Sequence, residues 1–320
     1  MIKKKEILCT LGPSTFNKDF LKFSNNKISL LRLNMSHVAI NRLKRTIMFI
    51  RKYSKVPICI DTEGAQIRTK IRKSRKYKSN QKLSLYKNKG NFNIYPSEVF
   101  DKIKKNDFLN IGFDGLEVKV IKVSQNILSC RATKGGMLEN NKGIHLINRN
   151  IKLNFITEKD KIAINIAKKM NINHYALSFT NTHKDILKFN QLLKNKVKIF
   201  KIETKNALKN LNKIILAGQK FLIDRGDLSK DVSLEILPFV QRKVLKVANA
   251  NNKKVYVATN FLESMIKNKY PNRGEANDVY NTLESGADGL VLAAETAIGK
   301  YPKECVIFLK KIIKVFNYYK

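Results

Sequence analysis

Lys201 and Glu203 stand one residue apart at the end of an apolar run, and Asp227 follows the next such run. Alternation along a strand puts Lys201 and Glu203 on one side. Glu203 with Asp227 from a neighbouring strand suits an octahedral Mg²⁺, which takes one or two carboxylates and completes its shell with water and substrate oxygens. A structural ion pair between Glu203 and Lys201 is the plainer alternative. A metal beside Lys201, Arg32 and Arg68 would gather the positive charge that phosphoryl transfer needs, since that chemistry asks for positioning and charge rather than covalent help. Other polar residues also end apolar runs: Arg32, Asn34, Ser36 and His37; Asp61, Thr62 and Arg68; Arg225, Gly226 and Asp227; Thr259 and Asn260; Glu295 and Thr296. At Arg225-Gly226-Asp227-Leu228 a strand passes into a short helix, whose first N–H groups can hold a carboxylate or phosphate while Gly226 permits close approach. An ordinary turn with a capping Asp explains the same four residues. His37 is a candidate ligand contact, and His145, His174 and His183 read as incidental.

Eight apolar, β-rich runs carry these residues, at 6–12, 28–35, 56–63, 174–180, 197–203, 221–226, 255–260 and 288–295. Between them, apolar residues recur at helical spacing. In 40–52, Ile40, Leu43, Ile47 and Ile50 share one face, and in 157–170 Ile162, Ile166 and Met170 do so. Thr157 and Asp160 form a capping-box-like start, and a last helix is expected over 303–318. Eight β/α units predict an α/β fold, a TIM (β/α)8 barrel whose reactive groups sit at the C-terminal ends of the strands. Over 70–151 the helical period fails, and β-rich runs such as Leu116–Val123 alternate with Gly and Asn turns. This predicts a small inserted β-barrel lid domain after the third strand, with the barrel built from 1–69 and 152–320.

A chain of 320 residues with 43% hydrophobic content buries a large core. No run of 18 apolar residues occurs, and the apolar start at 6–11 is too short for a signal peptide. The four cysteines lie far apart without a C-x-x-C pair, which fits neither a zinc knuckle nor a disulfide framework. A cytoplasmic protein is expected. The formal net charge of +38 suggests a nucleic-acid or membrane-surface partner. Its basic residues are spread along the whole chain, however, and accompany heavy use of Asn and Ile, residues that share AT-rich codons with Lys. The expectation is therefore no membrane partner and no specific nucleic acid. A basic RNA-binding protein is the competing reading, and it predicts tight, steeply salt-dependent binding.

Several segments resemble the pyruvate kinase family, in order, over about residues 5–318. They are Cys9-Thr10-Leu11-Gly12-Pro13, Arg32-Leu33-Asn34-Met35-Ser36-His37 and Asp61-Thr62-Glu63-Gly64-Ala65-Gln66-Ile67-Arg68-Thr69, then Lys201-Ile202-Glu203 and Arg225-Gly226-Asp227-Leu228. Ala258-Thr259-Asn260-Phe261-Leu262-Glu263-Ser264-Met265-Ile266 and Glu295-Thr296-Ala297-Ile298-Gly299-Lys300-Tyr301-Pro302 complete the series. The resemblance implies transfer of a phosphoryl group from phosphoenolpyruvate to ADP, giving pyruvate and ATP, with Mg²⁺ or Mn²⁺ and with K⁺. By it, Lys201 neutralises the transferring group, Arg32 holds it, and Glu203 and Asp227 bind Mg²⁺. Thr259 helps to protonate the methylene carbon, and Gly226, Asp227 and Thr259 hold the substrate carboxylate. Asn34, Ser36, Asp61 and Thr62 match the K⁺ ligands; Asn34, His37, Arg68 and Lys142 fall on the nucleotide side, with Asp114 also matching a lid position.

The departures are Gly64-Ala65-Gln66 where Gly-Pro-Glu is usual, Ser229 for Gly, Asn260 for Gln, and Thr180-Asn181 for an apolar-Arg pair. Gln66 leaves the K⁺ requirement open, and the substitutions together admit a degenerate relative kept for binding. Because the sequence stops after the eighth helix, the resemblance implies that the C-terminal regulatory domain is absent. A monomer or weak homodimer without activation by fructose 1,6-bisphosphate is expected.

Overall fold

Each of the eight apolar runs offers one face to a barrel interior and the other to surrounding helices, which is why the runs alternate weakly or not at all. The structure, a computed structural model, describes residues 4–112, 115–147, 149, 151 and 153–319. Its barrel strands are β1 (Glu6–Thr10), β2 (Leu30–Asn34), β3 (Ile58–Asp61), β4 (His174–Leu177), β5 (Val197–Ile202), β6 (Lys220–Asp224), β7 (Lys254–Ala258) and β8 (Gly289–Leu292). All neighbours pair in parallel, and β8 closes on β1 through Glu6 opposite Gly289. One interior layer consists of Leu8, Leu30, Cys59, Ala176, Ile199, Leu222, Tyr256, Ala258 and Val291. The strands are shorter than the runs suggested, since the polar residue after each apolar stretch bends away into a loop.

Helices α1 (Lys18–Ser24), α2 (Ile40–Tyr53), α3 (Glu158–Lys169), α4 (His183–Leu192), α5 (Leu211–Ala217), α6 (Leu237–Ala250), α7 (Arg273–Glu284) and α8 (Pro302–Tyr319) follow the strands. In α2 Leu43, Ile47 and Ile50 of the expected face are buried, and Ile40 is half-buried. In α3 the face differs from the expected one. Asp160, Ala163, Ile164 and Ala167 are buried, whereas Ile162 is 49% exposed. Ile166 and Met170 of the expected face are half-buried, and the Asp160 carboxylate, which accepts the N–H groups of Glu63 and Gly64, turns its own face inward instead.

Asparagine ends several helices. Asn26, Asn171 and Asn252, just past α1, α3 and α6, hold φ of +62°, +55° and +54°, the left-handed position usually given to glycine. Ile172 and Lys253 then donate their N–H groups back to Ala167 and Ala248 at 3.0 and 2.9 Å.

The chain divides into two compact units, Met1–Gly64 with Glu158–Lys320, and Ala65–Thr157. The second is wider at both ends than the insert expected at 70–151. It contains a seven-stranded antiparallel sheet whose end strands, Lys82–Tyr86 and Phe92–Tyr95, meet where Asn93 Nδ2 donates to Tyr86 O at 2.8 Å. A core including Leu85, Val99, Leu109, Leu116, Val118, Val120 and Leu128 fills it. Arg68, expected at the end of the third barrel strand, lies instead on Ile67–Ile71 of this sheet, which pairs with Phe92–Tyr95 and Gly143–Leu146.

The exit from β3 is pinned by Asp160, whose two carboxylate oxygens accept the N–H groups of Glu63 (2.7 Å) and Gly64 (3.0 Å). Asp160 is fully buried and Gly64 has φ +68°. Asp160→Ala leaves two buried donors without these acceptors, and a loss of about 3 kcal/mol is expected, measured as the shift in urea midpoint. Unchanged stability would show that the loop relaxes to other partners.

Candidate active site

Two residues beyond the interior layer, the same strand faces become polar: Leu30 gives way to Arg32, Cys59 to Asp61, Ala176 to Ser178, Ile199 to Lys201 and Leu222 to Asp224. Period two makes this unavoidable, since side chains two apart share a face. The site is therefore the next layer of the barrel, at the C-terminal ends of β2 to β6. Lys201 is its centre. Its Nζ lies 3.1 Å from Glu203 Oε2, 3.4 Å from Asp224 Oδ2 and 3.8 Å from Asp61 Oδ2, and it donates to Ser178 Oγ at 3.1 Å. Arg32 Nε stands 3.4 Å from Asp61 Oδ2. Ser178 Oγ also approaches Asp61 Oδ1 at 3.3 Å and the Thr62 carbonyl at 2.7 Å.

Three buried carboxylates, Asp61, Glu203 and Asp224, thus face two buried cations, Arg32 and Lys201. Burial acts to lower the Lys201 ammonium, but Asp61, Glu203 and Asp224 outweigh it and hold it above the ordinary lysine range. For Arg32 burial is likewise overcome, chiefly by Asp61. Burial raises the Glu203 carboxyl; Lys201 opposes this, while Asp227 and Asp224 add to it. Asp224 moves the other way: burial would raise it, but Lys201, Arg32 and the Thr259 hydrogen bond hold it below the usual carboxylate range.

Ligand oxygens of Glu203, Asp224 and Asp227 all lie within 4.8 Å of one another. Glu203 Oε1 accepts the Phe179 N–H at 2.6 Å, whereas Oε2 is buried and faces the Lys201 ammonium at 3.1 Å. Asp227 is half-buried and carries Lys230 at 2.5 Å. Three clustered hard oxygen donors and a local anionic excess fit a divalent cation such as Mg²⁺. Asn34 and Asp61 are register partners on β2 and β3, Asn34 Oδ1 accepts the Ser36 N–H at 3.0 Å, and Thr62 follows Asp61 with its hydroxyl accepting the Ser178 N–H at 3.0 Å. Asp61 Oδ2 lacks a hydrogen-bond partner there. All four residues carry oxygen donors, the ligand type that a hard cation takes.

Gly226 and Asp227 begin the short helix Arg225–Leu228. A Cβ on Gly226 would meet Thr259 Cγ2 at 2.8 Å, so a larger residue at 226 would have to displace the Thr259 side chain. Thr259 directly follows β7 with φ +81°, and its hydroxyl donates to Asp224 Oδ1 at 2.7 Å. His37 is exposed in the loop after β2, its N–H on Asn34 O at 3.0 Å. Asn260 is exposed and turned to Glu263. Glu295 and Thr296, expected at the same mouth, bind backbone instead: Glu295 takes the N–H groups of Ala293 and Leu262, and Thr296 donates to Thr10 O. Arg225 also points away from the carboxylate cluster, forming a two-oxygen pair with Asp278. Arg68 and Lys142 belong to the second unit, where Arg68 donates to Asn141 O and Lys142 pairs with Glu139. Asp114 lies outside the described residues. Asp224 and Ser178 were not among the expected site residues; their position two residues past Leu222 and Ala176 was the available signal.

The family profile described as the pyruvate kinase barrel domain matches residues 2–306. Among curated proteins, a pyruvate kinase of Thermotoga maritima is 31% identical over 330 residues, covering 98% of this chain and 71% of that protein. One from Methanocaldococcus jannaschii is 32% identical over 322 residues, with 98% and 70% covered. One from Buchnera aphidicola of Schizaphis graminum is 34% identical over 336 residues, with the same coverage.

Proposed function

The chain belongs to the pyruvate kinase family, and from that premise we propose that it transfers the phosphoryl group of phosphoenolpyruvate to ADP, giving pyruvate and ATP in the last step of glycolysis. The observation that carries this reading is Lys201, a buried ammonium beside Arg32 and next to three clustered carboxylates at the barrel mouth. Lys201 and Arg32 supply fixed positive charge to the transferring group, and their carboxylate partners hold both in place before substrate arrives. The N–H groups of Gly226 and Asp227 at the short helix start receive the substrate carboxylate. Thr259, just past the neighbouring strand β7, moves a proton at its Oγ1 to the methylene carbon.

Glu203 and Asp227 would hold Mg²⁺ or Mn²⁺, which when bound supplies charge stabilisation to the phosphoryl and enolate oxygens. Asn34, Ser36, Asp61 and Thr62 would hold K⁺, and Asn34 and His37 face the nucleotide. The four cysteines, all free and buried, suit a cytoplasmic setting. Among the described residues no helix is long and apolar enough to cross a membrane.

Pyruvate formation from phosphoenolpyruvate and ADP tests the reading. Turnover is expected with Mg²⁺, is abolished by chelation, and is compared with and without K⁺ to decide the role of Gln66. Folded protein that binds phosphoenolpyruvate and Mg²⁺ but does not turn over would make it a binding relative.

A further inference from the structure

Thr259 is held in a conformation that a β-branched residue does not choose. Its φ of +81° lies in the left-handed region, where such a side chain is an outlier and needs support from outside. Two consecutive residues provide that support. Asp224 Oδ1 accepts the Thr259 hydroxyl at 2.7 Å. Arg225 closes on the other end of the same residue, with Nε and Nη2 donating to the Thr259 carbonyl at 3.0 and 2.6 Å. The arginine is itself immobilised: Nη1 reaches both oxygens of Asp278 at 2.9 and 2.8 Å, and the guanidinium lies 4.3 Å over the Phe261 ring. Asp224 is buried, and its second oxygen faces Lys201 at 3.4 Å.

We propose that Asp224 and Arg225 are positioning residues for Thr259, the carboxylate fixing its hydroxyl oxygen and the guanidinium fixing its carbonyl. The inference rests on the phosphotransfer reading, within which Thr259 moves the proton. A free threonine side chain exchanges among staggered wells. With Oγ1 tied to Asp224 and the backbone tied to Arg225, rotation about Cβ–Oγ1 alone redirects the proton, and the oxygen keeps its place. The second oxygen of Asp224 links this group to Lys201, so a single carboxylate sets the distance between the group that handles the proton and the group that handles the phosphoryl.

Exchange of pyruvate methyl hydrogens for deuterium, followed by NMR in D₂O with Mg²⁺, isolates the proton-moving step. Wild-type protein showing neither turnover nor exchange would refute the phosphotransfer reading itself. Given wild-type exchange, Thr259→Val is expected to slow it by about 100-fold. Asp224→Ala should do the same, and the two together should lose no more than either alone. Asp224→Asn keeps an acceptor for the hydroxyl and should recover most of the rate. Arg225→Lys breaks the two-nitrogen grip and should cost about tenfold. Losses that multiply in the double variant, or Asp224→Asn as slow as Asp224→Ala, would overturn the proposal. If Asp224→Ala does not fold, Arg225→Lys decides: undiminished exchange in that folded variant overturns it.

Discussion

Lys201→Met is expected to lower pyruvate formation by about 10³-fold or more, the scale for removing a preorganised charge from a phosphoryl-transfer site. Methionine keeps much of the volume of the lysine stem but offers no donor and no charge. The same change leaves Glu203, Asp224 and Asp61 without their shared cation, since Nζ lies within 4 Å of all three. Breaking a buried ionic cluster from one side costs about 3–5 kcal/mol. Thermal unfolding should therefore fall together with activity, and added Mg²⁺ should restore part of the stability but none of the turnover. A variant that keeps a tenth of the wild-type rate would remove Lys201 from the mechanism. Nucleic-acid affinity, if any, should stay the same, because a buried ammonium takes no part in it.

Glu203→Gln separates function from stability in the opposite sense. Gln still accepts the Phe179 N–H, now held at 2.6 Å by Oε1, and it removes one of three carboxylates that face only two cations. Without metal, the variant should be as stable as wild type or more so, because burial already disfavours the charged form of Glu203. In wild type, Mg²⁺ at about 100 times its Kd adds about 2.7 kcal/mol. That increment should shrink sharply in the variant, and turnover should fall by about 10³-fold. Melting curves with and without Mg²⁺ read both effects. An undiminished Mg²⁺ increment would take Glu203 out of the metal site.

Much of this site was legible because barrel strands alternate strictly. Arg32, Asp61 and Lys201 each end an apolar run, and each stands two residues past an interior residue. Asp224 and Ser178 obey the same rule but sit inside runs that read as ordinary strand ends, so they are visible only once the interior layer is known. Arg68 was misplaced for the converse reason. It follows β3 closely in sequence, yet Ile67 is buried and Lys70 exposed in a pattern that matches an antiparallel sheet of the second unit. The expected α3 face followed spacing alone: Ile162 is 49% exposed, whereas Ile164 is buried on the face that Asp160 turns inward. Glu295 and Thr296 show that a polar residue at a strand end serves backbone as readily as chemistry.

The asparagines that end α1, α3 and α6 connect the fold with the composition of the chain. Asparagine visits the left-handed region more easily than any residue with a longer side chain, so a helix terminus is among the few places where it replaces glycine at small cost. A coding sequence rich in asparagine can place it there without straining the backbone. Helix termini thereby take up part of the compositional bias without disturbing the barrel strands.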